Sequence, residues 1–369
     1  MKSIVYVHLH NDYTGSTRVL SKVIKKNEEK FHAIHIITNS STGGFLSDID
    51  ATYHLIKFDQ HRNKYIRTLK LLWIQLIIFL KLLKIRKSRR QFDIYTNTLL
   101  PFGATLFGKL FKQKTIVHIH ETSIRPKLLE KIILLLVNYS VTKAIYVSKT
   151  CYNSLPLHKP TLEIKYNSLS ENFMQMATLY KQQGIVPKHI LMISSLNKHK
   201  GIYTFIELAK KCPQYTFELV ISAAPQSINK EFSNLNIPKN LNIYSAQSNI
   251  HPFYARAAIL LNLSNPDKWV ESFGMTILEA SFYGVPSIAP PIGGPTELIV
   301  NSHDGFLVHP KNQEKIIFTV AKLMNDRSLY QSMSENAYKK ALTFIKPIFH
   351  NMENLYAVDK NKNQTIIKP

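Results

Sequence analysis

Two glutamates separated by seven residues, Glu271 and Glu279, stand on either side of a predicted loop-to-helix junction. Apolar residues at helical spacing over 275–282 predict a helix that begins just after Gly274. The first-turn N–H groups of such a helix have no partner within it, so a diphosphate can bind there. Glu279 leans back toward this end of the helix, whereas Glu271 stays in the loop before it. Hydroxyl-rich groups on both sides of a diphosphate describe a nucleotide sugar.

The neighbouring sequence distinguishes this pair from two glutamates that merely complement a helix dipole or face solvent. The stretch continues through Gly284-Val-Pro286 and Gly293-Gly294. As a whole it resembles the donor-binding segment of glycosyltransferase family 4, in the two-domain GT-B superfamily. The resemblance implies that Glu271 binds hydroxyls of the transferred sugar and that Glu279 binds the ribose. The donor-binding residues predicted in this way are Glu279, Phe273, Gly274, Met275, Thr276, Ser195 and Gly15.

A second segment, residues 193–201, is similar to the phosphate-binding strand and loop of the same family. Lys200 stands at the expected position, where a cation would neutralise the departing diphosphate. Ser195 occupies the position of the family's usual arginine, which leaves one phosphate charge without its expected partner. Either Lys198 or His199 compensates, or the leaving group is less stabilised. Without the glutamate segment, a lysine in such a loop would be interpreted as solvated.

Two features of the first half of the chain also point to the donor. Gly15 lies in a turn between a predicted strand and a predicted helix, where the family usually has two glycines, and the resemblance implies that this loop faces the diphosphate and the acceptor. His118 and His120 share one face of a predicted strand. His120 ends that strand, and the resemblance implies a contact with the donor sugar, with proton transfer as an open alternative. The predicted catalytic residues are Glu271, His120 and Lys200.

No metal site is predicted. His118, His120 and Glu121 are adjacent, but no further ligand follows at a metal-binding spacing. Asp48-Ile49-Asp50 has the Asp-x-Asp form of metal-dependent transferases, and we interpret it as a chance pattern. The resemblance implies metal-independent chemistry with no cofactor beyond the nucleotide-sugar co-substrate, for which a UDP-sugar is the first guess.

The elements that must position these residues fall into two α/β halves. The 369 residues are 45% apolar and contain only two cysteines, which excludes a disulfide miniprotein and broad disorder. Short apolar runs alternate with amphipathic ones, which predicts two doubly wound, Rossmann-like domains facing a cleft. The predicted boundaries are an N-terminal acceptor-binding domain at 1–168, a linker at 169–188, a nucleotide-sugar-binding domain at 189–345, and a segment at 346–369 that returns to the first domain.

The chain is strongly basic, with 47 Lys and Arg against 24 Asp and Glu and a formal net charge of +23. Cations and apolar residues concentrate at 61–90, a pattern that favours contact with an anionic membrane surface, although a packed crossover helix with a solvated basic end also explains it. Nucleic acid is not a predicted partner, since no corresponding motif is visible. With no secretory signal and no apolar run of membrane-spanning length, the predicted location is the cytoplasm, peripheral on the inner face of the plasma membrane.

The favoured function is transfer of a hexose from a nucleotide-diphosphate donor to a glycan or polyprenyl-diphosphate-linked acceptor in bacterial surface-polysaccharide synthesis. The resemblance implies retention of anomeric configuration, with the donor phosphate helping to remove the acceptor proton. Glu271→Ala is then expected to abolish turnover and leave the fold intact. A GT-B-type sugar-nucleotide epimerase or phosphorylase, or a non-catalytic basic scaffold protein, are the alternatives, and product analysis with and without acceptor separates them.

Overall fold

Two parallel sheets follow one another along the chain in the computed structural model, which describes residues 2–58, 63–182 and 188–345. This arrangement confirms the predicted fold class. The first sheet has seven strands: β1 Lys2–Val7, β2 Phe31–Thr38, β3 Thr52–Leu55, β4 Phe92–Asn97, β5 Thr115–Ile119, β6 Lys143–Tyr146 and β7 Thr161–Ile164. The second has six: β8 His189–Ser194, β9 Thr216–Ile221, β10 Leu241–Tyr244, β11 Ala257–Leu261, β12 Ser287–Ala289 and β13 Gly305–Leu307.

The strand order puts a topological switch point in each sheet. The first sheet runs β3-β2-β1-β4-β5-β6-β7, and the second runs β10-β9-β8-β11-β12-β13. The chain therefore reverses direction across the sheet between β1 and β4, and again between β8 and β11. Ligands of open α/β sheets bind beyond the carboxyl ends of the strands at such points. These two places are where the sequence-predicted residues should gather.

Helices connect the strands and cover the sheets. They are α1 Gly15–Asn27, α2 Lys64–Ser88, α3 Phe102–Leu110, α4 Lys127–Ser140, α5 Lys149–Ser154, α6 Glu171–Gln182, α7 Ile202–Lys211, α8 Pro225–Phe232, α9 His251–Arg256, α10 Met275–Phe282, α11 Pro295–Leu298, α12 Gln313–Asn325 and α13 Arg327–Ile345. Short 3-10 turns occupy Glu28–Lys30 and Lys198–Lys200. Within the ranges just given for the structure, no helix is both long enough and apolar enough to cross a bilayer.

Apolar layers lie on both faces of each sheet because successive strand residues point to opposite sides. In β1, Ile4 and Tyr6 pack with Leu20 of α1, whereas Val5 and Val7 belong to the core beneath α2, α3 and α4. Strands buried on both faces read as continuous apolar runs, which is how they were recognised in the sequence.

Three segments differ from the sequence-based prediction. The edge strands β3 and β7 were not predicted, since each has only four residues and alternates between exposed and half-buried positions. Helix α6 forms where residues 169–188 were expected to be a linker, because Phe173 and Ala177, one turn apart, pack into the second domain's core beside Tyr254. The predicted C-terminal segment 346–369 lies outside the described residues.

Candidate active site

The segment 271–276 forms the mouth of helix α10. Gly274 is the N-cap and has a φ of +108°, a conformation that favours glycine. Phe273 is buried in the second domain's core, while Met275 and Thr276 are half-buried in the first turn. The N–H groups of that turn lack intrahelical acceptors, as in any helix. The four predicted donor-binding residues at 273–276 therefore occupy one short arc of chain, and their contacts with a ligand stay a prediction.

Gly293 and Gly294 support this arc from behind. The N–H of Gly294 donates to the carbonyl oxygen of Glu271 over 2.7 Å. A Cβ atom at Gly294 would lie 2.3 Å from the Cα and carbonyl oxygen of Phe273, which no neighbouring backbone shift could easily relieve. The glycine pair of the motif thus holds the loop 271–273 in place by close backbone approach.

Lys200 and Glu271 meet at the switch point of the second sheet. The loop after β8 carries Lys200, and the loop after β11 carries Ser264 and Glu271. The Lys200 Nζ lies 2.7 Å from Glu271 Oε2, and the Ser264 hydroxyl lies 3.3 Å from the same oxygen. About a fifth of each charged side chain is exposed. A ligand that brings phosphate to the ammonium and hydroxyls to the carboxylate can therefore exchange with this ion pair.

Ser195 follows β8 directly and adds no charge. Its hydroxyl accepts from the Asn197 amide over 2.9 Å. Lys198 extends toward Glu231, 3.9 Å away, and is largely exposed. His199 packs beside the Trp269 ring, and burial, followed by the charge of Lys200, lowers its pKa below 6.5. Neither Lys198 nor His199 forms an ion pair with Glu271 as Lys200 does, and their compensation for Ser195 stays a prediction.

Glu279 is the most enclosed acidic group at this end of the sheet, with 6% of its side chain exposed. Its Oε2 accepts a 2.7 Å hydrogen bond from the Tyr254 hydroxyl, and its Oε1 lies 2.7 Å from Nη1 of Arg18. Burial and the charge of Glu279 raise the pKa of Tyr254 well above 10, so the phenol keeps its proton and remains a donor. Arg18 belongs to α1 of the first domain, so this contact crosses the cleft.

His120 lies at the carboxyl end of β5, beside the switch point of the first sheet. Its Nε2 lies 3.0 Å from Asn97 Oδ1, and the Asn97 amide nitrogen donates to the carbonyl oxygen of Ser16. An amide oxygen only accepts, so Nε2 carries the proton and Nδ1 keeps the lone pair. Burial, then His118 and His8, hold the pKa of His120 well below 6.5. A neutral ring suits a hydrogen bond to a hydroxyl better than proton donation.

The residues adjacent to His120 have structural partners. His118 Nδ1 lies 2.8 Å from the Tyr95 hydroxyl. The carboxylate of Glu121 accepts from the backbone N–H groups of Leu99 and His120. Among the residues that the structure describes, no three His, Cys, Asp or Glu side chains are grouped as a metal site would require.

Gly15 begins α1 and is exposed, and a Cβ there would meet no atom within 4 Å. The space around Gly15, at the start of the helix that carries Arg18, is therefore open. The sequence analysis missed Arg18 and Tyr254. Arg18 follows Gly15 at the i, i+3 spacing of one helix face, a usable signal, whereas nothing in the local sequence marks Tyr254.

The two domains hold each other through hydrogen bonds beside the cleft. The hydroxyls of Thr122 and Ser148 donate to the carbonyl oxygens of Val270 and Ser272. Glu297 of α11 accepts from the N–H groups of Lys149 and Thr150 and from the Thr150 hydroxyl, at 2.6–2.9 Å. A carboxylate of the second domain thereby caps helix α5 of the first. The glutamate segment is consequently fixed against both domains.

Comparison with known proteins agrees with this arrangement. N-acetyl-alpha-D-glucosaminyl L-malate synthase of Bacillus anthracis is 23% identical over 358 residues, 91% of each chain. Probable sucrose-phosphate synthase 3 of Arabidopsis thaliana is 33% identical over 101 residues, 27% of this chain, which spans only 10% of that protein. The crystal structure of Anabaena HepE in complex with UDP and glucose superposes with a TM-score of 0.73 at 17% identity, covering 97% of this chain and all of that one.

Residues 179–340 match the family described as glycosyl transferases group 1. This stretch contains β8 to β13 and, with them, Lys200, Glu271 and Glu279. The resemblance noted in the sequence is confirmed at this level. The segment 179–340 is therefore a glycosyl transferases group 1 domain, and the chain that contains it has the two-domain GT-B fold.

Proposed function

We propose that this chain transfers a hexose from a nucleotide-diphosphate donor to a glycan or polyprenyl-diphosphate-linked acceptor in bacterial surface-polysaccharide synthesis. The observation that carries the proposal is the pairing of both glutamates with cations around the mouth of one helix. Glu271 pairs with Lys200, and Glu279 pairs with Arg18. Hydroxyl acceptors and phosphate-binding cations thus alternate along the path that a nucleotide sugar would follow.

In the proposed reaction the anomeric carbon–oxygen bond to the diphosphate breaks, and a bond to the acceptor oxygen forms on the same face. The acceptor proton passes to the leaving phosphate, so no carboxylate acts as a nucleophile. The α10 N–H groups and Lys200 would stabilise the negative charge that develops on the leaving oxygen. Glu271 would accept from hydroxyls of the hexose, and Glu279 from the ribose. We propose family 4-like, metal-independent chemistry, so turnover should survive removal of divalent cations by a chelator.

His120 would bind a sugar hydroxyl in this scheme. Its Nε2 proton is engaged by Asn97, so Nδ1 would accept a hydrogen bond from the donor. Ser195, Gly15 and the residues 273–276 would contact the diphosphate. Because Anabaena HepE was crystallised with UDP and glucose, a UDP-sugar is the first donor to test here.

Donor binding tests the proposal directly. Thermal unfolding would be followed against a panel of UDP-, GDP- and dTDP-sugars, because a ligand bound only by the folded state adds about 2.7 kcal/mol of stability at 100 times its Kd. We expect one nucleotide class to raise Tm, and Glu271→Gln to reduce the shift for the sugar nucleotide. Glu335→Gln, on the exposed side of α13, is the matched control. A Tm that no nucleotide sugar moves would contradict the proposed function.

We also propose that the first domain rests peripherally on an anionic membrane, where a polyprenyl-linked acceptor would lie, on the cytoplasmic side. Helix α2 has two apolar faces. Leu71, Ile78 and Leu82 pack in the core, while Leu69 and Trp73 are 66% and 63% exposed. Further exposed apolar side chains of α2 and α4 are Leu72, Leu76, Leu80, Leu128, Ile132, Leu135 and Tyr139.

Cations accompany this apolar surface. Lys84 and Lys87 of α2 and Lys127 and Lys131 of α4 are exposed on the same two helices, and Lys127 also pairs with Glu130. Each cation near an anionic leaflet contributes about 1 kcal/mol, in addition to burial of the apolar side chains in the interface. An apolar face bordered by lysines is complementary to anionic phospholipid. Positions 61 and 62 of the predicted 61–90 segment lie outside the described residues.

A further inference from the structure

Arg18 is a cation of the first domain that reaches into the second domain's donor segment. Its guanidinium lies against Glu279, the carboxylate one turn inside α10. The opposite oxygen of Glu279 is held by Tyr254, which belongs to the same domain as Glu279. A third of the Arg18 side chain stays exposed.

The charge at the mouth of α10 is incomplete without Arg18. A diphosphate brings at least two negative charges, and the loop after β8 supplies Lys200. Ser195 is neutral, Lys198 points to Glu231, and His199 packs beside Trp269. Within the described part of that loop, Lys200 is thus the one cation in contact with the glutamate segment. Arg18 of the opposite domain can supply a second cation.

Arg18 is within reach of that position. Glu279 is four positions after Met275, which corresponds to roughly 6 Å along the helix axis, and helical side chains lean toward the N terminus. A guanidinium paired with Glu279 is therefore about one helical turn from the N–H groups of the first turn. Its planar fork suits phosphate oxygens.

The surroundings of Arg18 favour an anion. Lys22 follows one turn later on α1 and donates to the carbonyl oxygen of Ser168 over 3.2 Å. Burial, then the charge of Arg18, lower the pKa of Lys22 to about 8, so it is still mostly charged at pH 7. Arg18 and Lys22 repel each other, and Glu279 is the carboxylate that acts on both of them. A bound diphosphate would reduce this repulsion.

We propose that Arg18 of the first domain is a ligand of the donor diphosphate. When the ribose hydroxyls bind the Glu279 carboxylate, the Arg18 side chain moves from that carboxylate to the phosphates. This inference rests on the proposed function. It also gives donor binding a second role, since the nucleotide would then be held by both domains at once. The competing interpretation is that Arg18 only holds Glu279 in position.

Paired ligands separate the two interpretations. The nucleoside diphosphate that binds the wild type, with UDP tested first, and its parent nucleoside would be titrated calorimetrically into the wild type and Arg18→Ala. We expect Arg18→Ala to weaken diphosphate binding at least tenfold and to leave nucleoside binding unchanged or tighter. Arg18→Lys should recover part of the loss. Lys25→Ala, an exposed charge loss on the same helix, should change neither affinity.

The same Arg18 substitution in a Glu279→Gln variant tests whether its effect depends on the Glu279 charge. In Glu279→Gln the carboxylate no longer needs a cation, so a purely positioning Arg18 would become dispensable. We expect Arg18→Ala still to cost tenfold in diphosphate affinity there. Equal weakening of nucleoside and diphosphate, or no effect of Arg18→Ala in either background, would overturn the inference while wild-type binding persists. Failure of the wild type to bind any nucleoside diphosphate would instead overturn the proposed function and this inference together.

Discussion

Mild acid should destabilise the first domain, because several of its histidines, His8 and His118 among them, are held neutral by burial. His8 Nδ1 bonds to the Asn97 carbonyl oxygen, and His118 Nδ1 lies against the Tyr95 hydroxyl. Burial lowers the pKa of His8 from 6.5 to about 4 and that of His118 to about 3. Both rings are buried, so a second proton would lie in a poorly solvated site. Protonation therefore favours the unfolded chain.

The sign and size follow from these pKa values. The unfolded chain binds the protons near pH 6.5, whereas the folded domain binds them only near pH 4 and pH 3. The contribution to stability is complete above pH 6.5 and is lost as the pH falls below it. Between pH 7 and pH 5 each of the two histidines costs about 2 kcal/mol in the free energy of unfolding.

Tryptophan fluorescence can follow this domain alone. The chain has two tryptophans, so Trp269→Phe leaves Trp73 on α2 as the single reporter. Urea unfolding at pH 7 and pH 5 should show a loss of roughly 4 kcal/mol from the two histidines, on the same linkage argument. His118→Gln, which keeps a polar partner for Tyr95, should reduce the loss by about 2 kcal/mol, the contribution of one such ring. His158→Gln, at an exposed position, is the control and should behave like its parent.

The outcome is decisive in either direction. A loss in His118→Gln as large as in the parent would show that His118 does not titrate on unfolding. Equal unfolding free energies at the two pH values would refute the assignment of both rings as buried and neutral.

Three further predictions concern the site, the membrane and the domain interface. Glu271→Gln should lower kcat roughly 100-fold or more in a donor-consumption assay with Tm unchanged, and normal turnover would contradict its role. Leu69→Ser with Trp73→Ser should reduce co-sedimentation with phosphatidylglycerol vesicles, and undiminished binding would exclude this face as the contact. Glu297→Gln should lower the free energy of unfolding by about 1 kcal/mol through the weakened cap of α5, measured by urea titration; no change would show that the cap is dispensable.

Much of the fold was predictable because buried parallel strands have an unmistakable composition. The alternation of short apolar and amphipathic runs predicted both α/β domains, and helical spacing over 275–282 predicted helix α10. The short edge strands β3 and β7 were not, since half-exposed strands of four residues resemble loops. Helix α6 was missed because Asn172 and the breakers after it suggested a linker, whereas tertiary packing of Phe173 decides its structure.

The part of the site that lies on one segment could be predicted from the sequence. The contacts between residues of the two domains could not. Residues 271–279 are contiguous, so their helix mouth could be derived from spacing. Lys200 and Glu271 come together only because β8 and β11 are neighbours, which strand order decides. Arg18 lies 261 residues from its partner Glu279, and no local pattern joins them. Charges that pair across a cleft therefore require the structure.

The Glu297 carboxylate that caps helix α5 of the first domain belongs to the second domain. A hinge motion that separates the two domains must remove the Glu297 acceptors from the first turn of α5. Domain opening and local fraying of this helix would therefore occur together. The amide hydrogens of Lys149 and Thr150 would then exchange with solvent each time the lobes separate. Exchange at these two backbone amides would thereby report each separation of the two domains.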